Sequence, residues 1–313
     1  MAMVLRLILL ASLATALAGC SKLFFYPMEP WVQNPENQGL SYEDVVLIHP
    51  RGLRLHGWWL PAAGEGHVRG TVYFLHGNAQ NISTHLASVQ WLPEQGYNVF
   101  LLDYRGYGLS EGKPKLPAVF DDVQLGLDWL RNARQTQGPL TVFGQSLGGA
   151  MAATVLGDEK NQNAADCVVL EAAFASYRGI TDDVMKGSWL LWPLRWLVVP
   201  GMPGADLDPE SRIAGLAPTP LLVMHSEDDP IIPYDHGKRL FAAAGEPKTF
   251  QRLRGGHIES TRDPAVQQRI VNFLQSNGCA APAPTPPAHD DGMDGMAPLP
   301  LPPAPTGNNG YRF

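Results

Sequence analysis

Apolar residues along this 313-residue chain fall into short unbroken runs, set apart by longer segments without that continuity. The runs predict strands at Asp44 to His49, Arg54 to Leu60, Gly70 to Leu75, Asn98 to Leu102, Leu140 to Phe143, Cys167 to Glu171, Pro220 to His225 and Thr249 to Leu253. The first two are joined near Arg51-Gly52. Most later runs are apolar throughout, as strands buried on both faces of a parallel sheet are. Helical segments are expected near Ile82 to Gln95, Pro117 to Arg134, Leu147 to Leu156, His236 to Ala244 and Asp263 to Gln275. Such alternation predicts an α/β fold: a mostly parallel eight-stranded sheet with helices on both faces.

The pattern changes in three places. Residues 176–218 are too long for a simple crossover, and carry Trp189, Trp192 and Trp196 at helical spacing among leucines. Pro193 and Arg195 interrupt this run, and its dozen or so apolar residues fall short of the ~20 needed to span a bilayer. It reads as a small cap segment whose tryptophans pack on the domain, line an acyl pocket or touch a membrane interface. Residues 1–19, with Arg6 ahead of Leu7 to Leu10, have the length and order of a signal peptide. Leu17 to Cys20 resembles the lipobox of bacterial lipoproteins, which implies lipidation of Cys20 and a lipid-anchored place in the cell envelope. Ser21 after the cysteine implies the outer membrane if the organism is Gram-negative. Residues 20–40 then read as a linker from the anchor, with Phe24, Phe25, Tyr26 and Trp31 set against the domain or the lipid surface. Residues 41–277 form one domain. From residue 278 to 313 the composition turns to Ala, Pro, Asp, Gly and Asn, which predicts a disordered tail.

A net charge of −7 is the wrong sign for a nucleic-acid partner. Besides Cys20 there are two cysteines, Cys167 and Cys279, free to pair or to remain thiols. Cys167 lies in the run Cys167-Val168-Val169-Leu170 and reads as a buried core thiol. The histidines lack H-E-x-x-H or similar ligand spacing, and His289, Asp290, Asp291 and Asp294 sit in the predicted tail, so no metal site is expected.

The chemistry is carried by Gly144-Gln145-Ser146-Leu147-Gly148, a G-x-S-x-G pentapeptide between a predicted strand and a predicted helix. This is the setting of a nucleophile elbow, in which a sharp turn lifts a serine hydroxyl out of the sheet. A serine hydroxyl needs a histidine to take its proton and a carboxylate to orient that histidine. Downstream, Arg254-Gly255-Gly256-His257 follows the last strand, and Ser226-Glu227-Asp228-Asp229-Pro230 follows the one before it. His257 is the candidate base, and Asp229 is favoured over Asp228 as the acid; Glu171, after the preceding strand, is a further candidate. His76-Gly77-Asn78-Ala79 follows the strand ending at Leu75, where an oxyanion-binding amide is expected from Asn78, with Ala79 as the alternative, and Leu147 supplies the second. His76, Asp103 and Arg105 read as braces of their loops.

Together His76-Gly77-Asn78-Ala79-Gln80-Asn81, Asp103 to Gly112, the elbow, the acid loop and the Gly-Gly-His loop resemble the α/β-hydrolase-domain serine hydrolases, the group that includes protein depalmitoylases and monoacylglycerol lipases. The resemblance spans roughly residues 44–277, and Ser226 departs from the glycine usual before the acid. It implies the α/β-hydrolase fold and hydrolysis of esters or thioesters without metal or organic cofactor. The substrates it implies are small-molecule or lipid acyl esters. A serine peptidase or amidase on the same fold, and a non-catalytic binding lipoprotein, are the alternatives. Oligomeric state is not readable.

Overall fold

A computed structural model of the chain describes residues 25–64, 68–134 and 138–282. The signal peptide, Cys20 and residues 283–313 lie outside the described residues.

Eight strands form one sheet: β1 (Glu43–Ile48), β2 (Arg54–Leu60), β3 (Gly70–Leu75), β4 (Tyr97–Leu102), β5 (Leu140–Gln145), β6 (Cys167–Glu171), β7 (Leu221–Ser226) and β8 (Lys248–Leu253). Their spatial order is β8-β7-β6-β5-β3-β4-β2-β1. Strand β2 is antiparallel to both β1 and β4, and every other pairing is parallel. In the central strands every residue is buried, whereas β1 buries only Val45 and Leu47, as an edge strand with one wet face should. All eight predicted strands are present, most with ends shifted by a residue or two.

Alternation along β3 divides the core. Tyr73 and Leu75 face a layer built with helices α1 (Val119–Asp128) and α2 (Leu147–Leu156). Val72 and Phe74 face the other layer, where the helix Pro264–Ser276 buries Val266, Ile270, Val271 and Leu274. Helices Tyr177–Lys186 (α3), Tyr234–Ala243 (α4) and Pro264–Ser276 (α5) complete the longer set. The Asp263 carboxylate caps α5 by accepting the Ala265 N–H at 2.8 Å, and Pro264 supplies the first turn.

The structure revises four expectations. Residues 82–95 are not one helix but the turns Ile82–His85, Leu86–Ser88 and Pro93–Gln95, because Val89 leaves helical geometry and Pro93 starts anew. The predicted linker is part of the body where it is described. Phe25 is buried, Tyr26–Pro27 pairs in parallel with Ala79–Gln80, and Trp31 packs edge-on against Trp58 at 4.9 Å. Asn81 Nδ2 secures this strap by donating to the carbonyls of Met28 and Pro30. Cys167 is not a free core thiol: it forms a disulfide with Cys279, 112 residues away. The ordered body accordingly continues past Gly278, and the Ala281 N–H donates to the Arg69 carbonyl.

Candidate active site

All six parallel strands point their carboxyl ends to one edge, and the loops that leave this edge bring the candidate residues together. At the end of β5, Ser146 adopts φ 53° and ψ −116°, a region costly for any residue with a side chain. The neighbouring glycines make that turn possible. A Cβ on Gly148 would overlap the carbonyl oxygens of Leu75 and His76, and one on Gly144 would stand 2.6 Å from Gly149 Cα. Helix α2 starts immediately after Ser146, and its first intrahelical bond runs from the Ala150 N–H to the Ser146 carbonyl. The amides ahead of it, Leu147 included, have no intrahelical acceptor and form the positive end of the helix. Gln80, Ala172 and Ile258, in three other loops of this edge, also have positive φ.

His257 Nδ1 donates to Asp229 Oδ2 at 2.7 Å, with the Asp229 side chain wholly buried. The other Asp229 oxygen accepts the N–H groups of Ile231 and Ile232 at 2.8 and 2.9 Å. Burial alone would raise the Asp229 carboxyl. The hydrogen bond and charge of His257, joined by those two amides, outweigh burial and hold it below its usual range. Asp228 instead faces outward to Arg254 at 3.2 Å.

Glu171 connects the two halves. Its backbone carbonyl accepts the Ser146 N–H at 2.8 Å. Its carboxylate accepts from Gln145 Nε2 at 2.6 Å and from the hydroxyl of Ser260, in the His257 loop, at 2.5 Å. Burial raises this carboxyl, opposed by those two bonds and by the charge of His257. Glu171 thus has no hydrogen bond to His257 of the kind Asp229 makes.

Asn78 is pinned from two sides. The Tyr107 hydroxyl reaches its carbonyl at 2.7 Å and its Oδ1 at 3.0 Å, and that Oδ1 also accepts the Tyr26 N–H at 3.2 Å. His76 is buried, stacks on Tyr104 at 4.2 Å and donates from Nδ1 to the Gly77 carbonyl. Asp103 accepts the Ile82 N–H, while Arg105 makes a buried ion pair with Asp122 at 2.6 Å. These three groups hold the loops around the site.

Sequence reasoning missed His85. Its Nε2 donates to the Ala79 carbonyl at 3.0 Å, and burial lowers it to about 4, so it is neutral. A Cβ on Gly77 would lie 3.1 Å from His85 Cε1 and 3.6 Å from Ser146 Cβ, so this glycine leaves room beside both side chains. His85 and His257 line one cavity of about 180 Å³ with Gln80, Thr84, Glu259 and Arg262. Only its position just after the Asn78 loop hinted at this, because the contact is tertiary.

The tryptophans expected to line an acyl pocket do not line this cavity. Trp189, Trp192 and Trp196 are 88%, 51% and 73% exposed. Pro193 and Pro200 cut the segment into single turns, Trp192–Leu194, Arg195–Val198 and Val199–Gly201, leaving no continuous helix face to bury. Among the described residues no three His, Cys, Asp or Glu side chains converge as a metal site would require, and no helix is long and apolar enough to cross a membrane.

A mostly parallel sheet of this strand order, with a serine at a strained strand-to-helix turn, defines a hydrolase of the α/β-hydrolase class. Residues 66–212 match the family model described as serine aminopeptidase S33, and residues 199–284 match that of TAP-like protein. The chain is 34% identical over 261 residues to YfhR of Escherichia coli (strain K12), covering 81% of this chain and 87% of that one. It is 30% identical over 279 residues to the α/β hydrolase domain-containing protein WAV2 of Arabidopsis thaliana, covering 81% and 86%. This chain belongs to the α/β-hydrolase family. Its fold is shared with an esterase of Pyrococcus furiosus, at a TM-score of 0.67 and 19% identity over 81% of this chain and 98% of that one.

Proposed function

We propose that this protein is a membrane-anchored serine hydrolase that cleaves carboxylic ester or thioester bonds of acyl or lipid-like substrates through an acyl-enzyme. The observation that carries the reading is the 2.7 Å bond from His257 to a buried Asp229, on a loop tied through Ser260 and Glu171 to the Ser146 elbow. Asp229 holds His257 with Nδ1 protonated, leaving Nε2 to accept the Ser146 proton as Oγ attacks the acyl carbon. The amides of Leu147 and Asn78 receive the oxyanion, each such donor being worth about 3 kcal/mol to the tetrahedral state. Collapse expels the alcohol or thiol with the proton returned by His257. Water then repeats the sequence and releases the acid.

In this reading residues 1–19 are removed, and lipid on Cys20 holds the domain at the cell envelope. A disulfide between Cys167 and Cys279 supports an oxidising compartment. The match to a serine aminopeptidase model favours a second reading, cleavage of amides. Against it, Glu259, an acidic residue of the cavity lining, has the Arg262 guanidinium 3.6 Å away, a charge that opposes binding of an amine.

A fluorophosphonate probe tests the proposal. The parent chain is expected to be labelled, Ser146→Ala not at all, and Asp229→Asn more slowly by roughly 10³-fold or more. Acyl esters should turn over while peptide arylamides do not; the reverse result would assign a peptidase. A folded parent that takes no label would be a binding protein instead.

A further inference from the structure

We propose that the tryptophan-rich surface of the cap docks on a lipid bilayer, so that the active-site edge faces the membrane; this rests on the reading of the protein as a membrane-anchored hydrolase. Trp189, Leu190, Trp192, Leu194, Trp196 and Leu197 are all exposed within nine residues. A surface so apolar is rare on a protein that meets only water. The rings are also held outward. Arg195, paired with Asp182 at 3.1 Å, places its guanidinium 4.2 Å from the Trp196 ring and 5.6 Å from that of Trp192. Tryptophan is enriched at membrane interfaces, where the indole sits at headgroup depth, and Arg195, largely buried and paired with Asp182, braces the rings from below.

The chain itself selects a bilayer as the occupant. Phe25 is buried, and Tyr26–Pro27 pairs with Ala79–Gln80 in the loop that leaves the carboxyl end of β3. The cap leaves the carboxyl end of β6, a parallel strand of the same sheet, and so stands on the same edge. Phe25 lies five positions after Cys20, a reach of at most about 18 Å at full extension. Lipid on Cys20 therefore brings the bilayer to within that reach of the edge where the tryptophans stand. Docked this way, an acyl chain passes from the bilayer towards Ser146 without crossing bulk water.

The test uses the full lipidated chain on vesicles of phosphatidylethanolamine and phosphatidylglycerol whose acyl chains carry bromine, which quenches tryptophan on contact. Of the eight tryptophans, Trp58, Trp59 and Trp91 are buried in the body. Quenching is expected in the parent and should be largely lost in the triple variant Trp189→Ser, Trp192→Ser, Trp196→Ser. In the unlipidated Cys20→Ala chain, Trp196→Ser should weaken partitioning to the same vesicles by about ten-fold. Fluorophosphonate labelling of each form reports folding and judges the hydrolase reading separately. Should the triple variant not label, Trp189→Ser alone provides the comparison. A parent that sediments with vesicles and labels at Ser146 but shows no quenching overturns the proposal, as does quenching that survives the triple variant undiminished. Concentration-dependent dimerisation of Cys20→Ala that Trp196→Ser abolishes, without quenching, would assign the surface to a second copy of the chain.

Discussion

Asp103 and Asp229 are the same side chain in opposite electrostatic settings. At the end of β4, Asp103 accepts the Ile82 N–H at 2.9 Å on one oxygen, and its other oxygen has no hydrogen-bond partner among the described residues. Burial, only partly offset by that amide, pushes its carboxyl up to about 8. The folded protein therefore keeps a proton that the unfolded chain has released. Stability contributed by this group is greatest below the unfolded value near 4 and declines as pH rises towards 8, by up to about 1.4 kcal/mol per unit. Asp103→Asn removes the titration, so urea melts should show the variant gaining on the parent between about pH 5 and pH 8. An unchanged difference across that range would contradict the assignment. Asp229, held below its usual range, has the opposite sign: its contribution is present above the unfolded value and is lost as pH falls through the folded one.

At the scale of elements, the junction of β5 and α2 has almost no spare volume. A methyl group at residue 148 would meet backbone oxygens of Leu75 and His76, which cannot rotate away, so α2 must shift from β3. Gly148→Ala is expected to cost about 1 to 3 kcal/mol of stability. It should also slow fluorophosphonate labelling by roughly 10²-fold, because an ångström of displacement at the nucleophile is felt in the barrier. A variant that melts and labels like the parent would mean that the elbow has room. This junction was legible in the sequence because glycines two residues either side of a serine announce the turn themselves, although the groups they make room for, Leu75 and His76, come from a distant strand. The strands were legible for a related reason, since burial on both faces writes an unbroken apolar run. Less was legible where distant residues decide. Within residues 82–95 the break was written locally, in Pro93, but was outweighed by apolar content, and the cap tryptophans keep helical spacing over turns too short to use it. His85 and the Phe25 to Trp31 strap depend on partners some distance along the chain and left no pattern to read.

At the scale of the molecule, the disulfide joins the first residue of β6 to the segment beyond α5 and closes a 112-residue loop around the strands that carry Asp229 and His257. Replacing both cysteines with alanine should lower stability by roughly 2 to 5 kcal/mol, seen as a lower melting temperature. Fluorophosphonate labelling well below the melt should persist, because neither cysteine touches the site. Thiol titration of the denatured, unreduced chain that finds both cysteines free would contradict the pairing. Glu171 stands at the far end of that same strand, with its carbonyl on the Ser146 amide and its carboxylate on Ser260. Thermal displacement of this strand end is consequently common to both loops. The nucleophile and the loop of the base thus share one footing, so a shift of this strand end is felt by both, as a shift of a bench is felt by two instruments bolted to it.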